Sequence, residues 1–240
     1  SRSIRDTMPP TAEVAKGIYR AGADVIDPLS FSGVTVKGVE IDSPNGEDIK
    51  IKWSLDIHDV STVVAYTSVV SLYPSSISDE VFGFRHAALS VGGTLTAPTA
   101  TDLASSSGAV SSCLRSFNLK IERDYSAGGF CYGQGGRKSK PTSKGVNISG
   151  AFTALYDNTT YRDAFLADTA MPVLFTLTGD QSLSTGKTGY QFALPDVRLE
   201  GELPNANDGD EIVVSHSFKG LHLESTEPLF VTCRTADTAL

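Results

Sequence analysis

Period-two alternation of apolar and polar residues predicts a mainly β protein with one short α-helix. Three observations carry that prediction. Ile49, Ile51, Trp53, Leu55 and Ile57 alternate with Lys50, Lys52, Ser54 and Asp56, so this strand is expected to bury one face and wet the other. Val146, Ile148, Phe152, Ala154 and Tyr156 share one parity, and Val173, Phe175 and Leu177 form a second such run. Between them lies the clearest helix signal: Thr160-Tyr-Arg-Asp163 has the spacing of a capping box and opens barely two turns ending at Leu166.

The remaining elements follow in order. Residues 1–12 are polar, contain Pro9 and Pro10, and read as an arm ahead of a β domain spanning 13–225. Residues 13–21 fit either period: Val14 and Ile18 have helical spacing, whereas Gly17 and Tyr19 suit a strand. Val34 and Val36 change parity to Val39 and Ile41 across Lys37-Gly38, as an inserted bulge residue requires. Ser43-Pro-Asn-Gly46 is a turn. Further strands are expected at 60–72 and 81–91, the second changing parity near Ala88. The Gly, Thr, Ala, Pro and Ser stretch 92–108 is linker-like and divides the chain into halves. Phe117, Leu119 and Ile121 then alternate with Ser116, Asn118, Lys120 and Glu122. A glycine-rich loop at 126–145, carrying Arg137, Lys138, Lys140 and Lys144, is too long to be idle. After the turn-rich 179–189, Tyr190, Phe192 and Leu194, and later Ile212, Val214 and Phe218, resume the period of two. Residues 226–240 read as a terminal strand or arm.

Composition narrows the function classes. At 240 residues the chain can bury a full core. No apolar run approaches the ~20 residues that span a bilayer, and 1–10 hold two arginines without a hydrophobic signal core, so the chain is read as soluble and unexported. Cys113, Cys131 and Cys233 cannot all pair within one chain and form no C-x-x-C, which fits a reducing compartment. A formal charge of −8 argues against tight binding of phosphate backbones, while a like-charged surface would let DNA pass without sticking.

No reactive constellation stands out. Gly133-Gln-Gly-Gly-Arg-Lys-Ser139 departs from a phosphate-binding loop, because Arg137 displaces the lysine and no helix signal follows. His216 and His222 flank Phe218, with His58 and His86 elsewhere, and show no converging third metal ligand. Glu122 with Asp124, and Asp208 with Asp210 and Glu211, fit turns and surfaces better than glycosidase or calcium sites. The cysteines sit among strand residues, where small buried thiols are common. No cofactor, metal or catalytic residue is assigned.

A series of segments does carry a resemblance. Ser116-Phe-Asn-Leu-Lys-Ile-Glu122, Tyr132-Gly-Gln-Gly-Gly136, Val146-Asn-Ile-Ser-Gly-Ala-Phe-Thr-Ala-Leu-Tyr156, Tyr161-Arg-Asp-Ala-Phe-Leu166, Pro172-Val-Leu-Phe-Thr-Leu-Thr178, Tyr190-Gln-Phe-Ala-Leu-Pro195 and Val213-Val-Ser-His-Ser-Phe-Lys-Gly-Leu221 occur in this order. Together they resemble the tail tube (major tail) proteins of long-tailed bacteriophages, over about half the chain. The resemblance implies a β-sandwich or barrel-like tail tube fold with a flanking helix, an extended loop and terminal arms. It implies hexameric rings stacked into a hollow tube that delivers double-stranded DNA, with tape measure, tail tip and tail terminator proteins as partners. It implies a virion component assembled in the host cytoplasm, and no catalysis.

On that reading Asn118, Lys120, Glu122, Ser149 and Thr153 are expected to approach the lumen. Tyr132, Gly133, Gln134, Arg137, Lys138, Lys140 and Lys144, with both termini, are expected to contact neighbouring rings. Six copies would carry roughly 48 formal negative charges per ring. The rival reading is a ligand-binding β-sandwich, a carbohydrate-binding or adhesin module, which requires an exposed aromatic platform. Trp53, the sole tryptophan, is expected in the core instead.

Overall fold

The computed structural model describes residues 2–3, 12–20, 25–57, 59–62, 81–99, 101–125, 132, 143–183, 186–201, 203, 211–221 and 227–235. Its strands are β1 (Arg2–Ser3), β2 (Ala12–Arg20), β3 (Val25–Ser43), β4 (Lys50–Asp56), β5 (Asp59–Ser61), β6 (Ala87–Val91), β7 (Thr94–Thr96), β8 (Ser105–Ser107), β9 (Leu114–Tyr125), β10 (Ser143–Leu155), β11 (Met171–Leu183), β12 (Gly186–Gly201), β13 (Val213–Gly220) and β14 (Phe230–Arg234). Helix α1 is Thr160–Leu166. The fold is mainly β and sandwich-like, without a closed barrel.

Antiparallel pairing builds a wide sheet in the order β4-β3-β9-β10-β13-β12. A narrower sheet runs β6-β11-β12-β14-β1. Strand β12 serves both: Gly189–Ala193 pair with β14 and Val197–Gly201 with β13. Pro195 lies between those ladders, a position where a residue lacking an N–H costs no sheet hydrogen bond. The chain therefore folds one sheet over the other at that corner.

Inward-facing residues fill the space between the sheets. Ile41, Phe117, Leu119, Ile148, Phe152 and Phe218 from the wide sheet meet Val91, Val173, Phe175, Leu177 and Leu194 from the narrow one, all buried. Phe117 stacks on Phe175 with ring centroids 4.5 Å apart, a geometry that adds to area burial. Phe152, Tyr161 of α1 and His216 form a second aromatic knot at 5.3–5.5 Å. Burial holds the Tyr161 phenol protonated, pushing it up to about 12, with the charge of Asp157 adding to the effect. Its hydroxyl has no hydrogen-bond partner among the described residues. Desolvation in the same knot lowers the His216 pKa.

Several local expectations can be compared with the structure. The parity change at Lys37-Gly38 is a register shift between β3 and β4. An added Cβ on Gly38 would sit 2.9 Å from the Ile121 carbonyl oxygen, so this bulge presses its backbone against β9. Gly46 closes the Ser43–Gly46 turn with φ +75. Of the ambiguous 13–21 segment, residues 13–20 are strand, paired with the first half of β3, and residue 21 lies outside the described residues. In 81–91 the strand starts only at Ala87, because Phe84–His86 form a 3-10 turn. Of the strand expected at 60–72, Asp59–Ser61 form β5 and 63–72 lie outside the described residues. Thr160 is not the helix cap: Thr159 occupies that position, Asn158 Oδ1 accepts the Thr160 N–H at 3.1 Å, and Asp163 turns to Arg162. That bond, and then one to Thr159, hold the Asp163 carboxyl below its usual range.

The stretch 92–108, linker-like by composition, carries the β7–β8 hairpin on the outer face of the narrow sheet. Gln191 clamps it: the Ala104 N–H donates to Gln191 Oε1 at 2.7 Å, and Gln191 Nε2 donates to the Ala104 carbonyl at 2.9 Å and to Thr176 Oγ1 at 3.0 Å. A buried glutamine amide on a buried backbone peptide satisfies both partners, which burial makes obligatory.

A methyl group at Gly150 would overlap the Asn118 carbonyl and the Phe218 ring, so Gly150→Ala is expected to lower stability by about 1–3 kcal/mol, read as a lower urea midpoint at unchanged m-value. The folded His216 resists a proton that the unfolded chain accepts from pH 6.5 downward, so stability falls as pH drops from 6.5 through the lowered folded pKa. His216→Phe should flatten that acid limb in unfolding curves. For Tyr161 the loss comes on the alkaline side, between pH 10 and about 12.

Candidate assembly surfaces

The wide sheet presents a polar face opposite its buried one. Directly opposed residues share a face, so the registers define rows across six strands. One row reads Lys52, Glu40, Lys120, Ser149, Lys219, Arg198. The next reads Lys50, Asp42, Asn118, Ala151, Ser217, Glu200. Asn118, Lys120, Glu122, Ser149 and Thr153 thus stand together on one face, as their parity required.

Charges on this face nearly balance. Lys50, Lys52, Lys120, Arg198 and Lys219 stand against Glu40, Asp42, Asp56, Glu122, Asp124 and Glu200, so most of the net −8 of the chain lies elsewhere. Opposite signs also sit within reach. Lys120 Nζ lies 2.8 Å from Glu122 Oε1, Lys219 Nζ 2.8 Å from Glu200 Oε1 and Lys52 Nζ 3.7 Å from Glu40 Oε2. Asn118 Nδ2 donates to Glu40 Oε1 at 3.3 Å, and the Ser116 and Thr153 hydroxyls bond at 2.6 Å. The Glu122 hydrogen bond raises the Lys120 pKa. This surface is hydrated and self-compensated, with nothing poised for proton transfer.

The opposite face of β4 overturns an expectation. Trp53 is 61% exposed, not buried, and Ile51, Leu55 and Ile57 are exposed with it. Among the described residues the wide sheet extends one strand beyond the narrow sheet at this edge, and no opposing layer covers the apolar side of β4. A groove of about 670 Å³ results, walled by Val36, Ile51 and Trp53 on one side and Tyr190, Phe192 and Val231 on the other, with Lys37 and Arg123 beside it. Alternation had identified the apolar face correctly; it could not show that the second sheet stops short.

Other candidates resolve as structure. Cys113 and Cys233 are exposed, not buried: Cys113 precedes β9, and Cys233 lies on β14 opposite Tyr190, on the same side as Val231 but beyond the packed core. His86 accepts the Gly83 N–H on Nδ1 and presents Nε2 to Asp180 at 3.2 Å, which holds the Asp180 carboxyl low. His216 belongs to the aromatic knot, and Glu211 pairs with Arg115. Among the described residues no three His, Cys, Asp or Glu side chains converge as metal ligands. Lys144 lies in β10 instead of a loop, exposed at the register shift between Ser143 and Gly145. Tyr132 is fully exposed. Gly133, Gln134, Arg137, Lys138 and Lys140 lie outside the described residues, as do His58, His222, Asp208 and Asp210.

A matched polar ribbon, an unfinished apolar edge and no reactive cluster among the described residues describe a building block. Residues 5–220 match the family described as phage tail tube protein. The chain belongs to the phage tail tube protein family. Comparison with curated proteins gives no match. The family match extends through the N-terminal half, where residue patterns showed only β-rich sequence. As a tail tube protein the chain is a structural component of the virion tail that assembles with itself and with other tail proteins. No helix among the described residues is long and apolar enough to cross a membrane.

Because the Lys120–Glu122 pair is exposed, water and salt compete with it. The double variant Lys120→Ala/Glu122→Ala is expected to leave the thermal midpoint of the isolated protomer unchanged, measured by circular dichroism.

Proposed function

We propose that this chain forms hexameric rings that stack into the tail tube, with the polar face of the wide sheet lining the bore through which double-stranded DNA passes. The observation that carries this reading is the six-strand ladder itself: one face is continuous, polar and charge-matched, and β4 at its edge has β3 as its one strand partner among the described elements. An edge of this kind is a template for another strand or another subunit. Ring closure removes it in every copy at once.

The bore assignment places Asn118, Lys120, Glu122, Ser149 and Thr153 toward the DNA. A face whose cations are offset by at least as many anions supplies little of the clustered positive charge that drives tight phosphate binding. DNA would slide past it without a strong hold. Tyr132, Gly133, Gln134, Arg137, Lys138, Lys140 and Lys144 remain proposed contacts between stacked rings, and the host cytoplasm the proposed place of assembly.

An exposed Trp53 also meets the requirement for a sugar-binding platform. The groove beside it is lined mainly by aliphatic and aromatic side chains, however, and such sites need convergent hydrogen-bonding groups to orient hydroxyls. Size-exclusion chromatography and negative-stain microscopy of the concentrated chain separate the two. Annular or tubular particles with six-fold symmetry are the expected result; a strict monomer that binds oligosaccharide would sink the tube. Within assembled tubes, Ser149→Arg with Thr153→Arg should preserve ring formation and slow DNA ejection, and burial of those positions between sheets would remove the bore assignment.

A further inference from the structure

The self-assembly just proposed needs two different contact patches on each protomer, because a ring is built from head-to-tail contacts. The wide sheet ends on one side at β4 with its open groove. It ends on the other at the second half of β12, beside which α1 sits: Asp168, just past the helix, bonds Arg198 of β12 at 2.7 Å. Leu166 on α1 is 63% exposed. Among the described residues the two edges therefore carry complementary defects, an apolar groove without a filler and an apolar side chain without a socket.

Charge points the same way. Around the groove Lys37 and Arg123 outweigh Asp56, which lies 3.8 Å from Lys37. Around α1, Asp157, Asp163 and Asp168 outweigh Arg162 and Arg198. The first patch is net positive by one charge and the second net negative by one. Such matching fixes which surfaces meet more than it adds affinity.

We propose that the β4 groove of one copy receives α1 of the next copy around the ring, with Leu166 seated beside Trp53. The seat removes the exposed stripe from water and leaves the polar face of the wide sheet untouched. It also makes Ile51 and Trp53 the centre of the contact, where aromatic anchors concentrate binding energy.

Trp53 is the sole tryptophan, so intrinsic fluorescence of the full chain reports this site alone. Emission should lie at long wavelength in the dilute protomer and shift to short wavelength on assembly. Leu166→Asp should keep the protomer's circular dichroism and lose assembly, while Leu166→Met keeps both. In a Cys113→Ser/Cys131→Ser/Cys233→Ser background, mixing Trp53→Cys with Leu166→Cys should give a disulfide-linked dimer on oxidation that neither variant forms alone. Rings that assemble with unshifted emission and no cross-link would overturn the seat while leaving ring assembly standing. Emission already at short wavelength in the protomer and unchanged on assembly would mean the chain fills its own groove. A shift driven by added oligosaccharide in a chain that stays monomeric would overturn both seat and ring.

Discussion

The bend in β12 is the constraint on which the architecture rests. One strand closes the wide sheet and runs through the narrow one between β11 and β14, so the two layers are joined covalently and by hydrogen bonds on that side. They part on the other. Proline at position 195 makes the turn tolerable, because neither ladder asks it for an N–H. The consequence is an asymmetric sandwich: fully packed near β12, where Leu194, Val197 and Leu199 are buried, and open near β4.

Alternation made most of this legible from sequence. Parity identified the inward residues of β9, β10 and β11, and the parity change at Lys37-Gly38 located a bulge to the residue. What alternation records is which side of a strand is apolar. It holds no information about how many strands lie opposite, so the stripe containing Trp53 reads as core although Trp53 is exposed and no described strand covers it. The same limit explains His216, whose neighbours in sequence are polar serines while its neighbours in space are Phe152 and Tyr161.

Composition misled where a few strong contacts outweigh propensity. Residues 92–108 have the makeup of a flexible connector, yet one glutamine from a distant strand holds them in place. Capping was misjudged by one residue at α1, because Asn158 offers its side-chain oxygen to the helix start before Thr160 can act as a cap. Overall charge misled in a similar way. A net negative chain need not spread its charge evenly, and the long ribbon formed by β4, β3, β9, β10, β13 and β12 carries little of the chain's net charge.

The Gln191 clamp has a bearing on which changes this protein tolerates. Its amide reads the peptide of residue 104 and no side chain beyond the requirement for something small there. Side chains at the exposed positions of the β7–β8 strands can therefore vary without disturbing that bond, whereas the spacing that brings residue 104 to the amide is fixed. An insertion or deletion that shifts residue 104 along the hairpin would break the clamp even where every substitution of an exposed residue spares it.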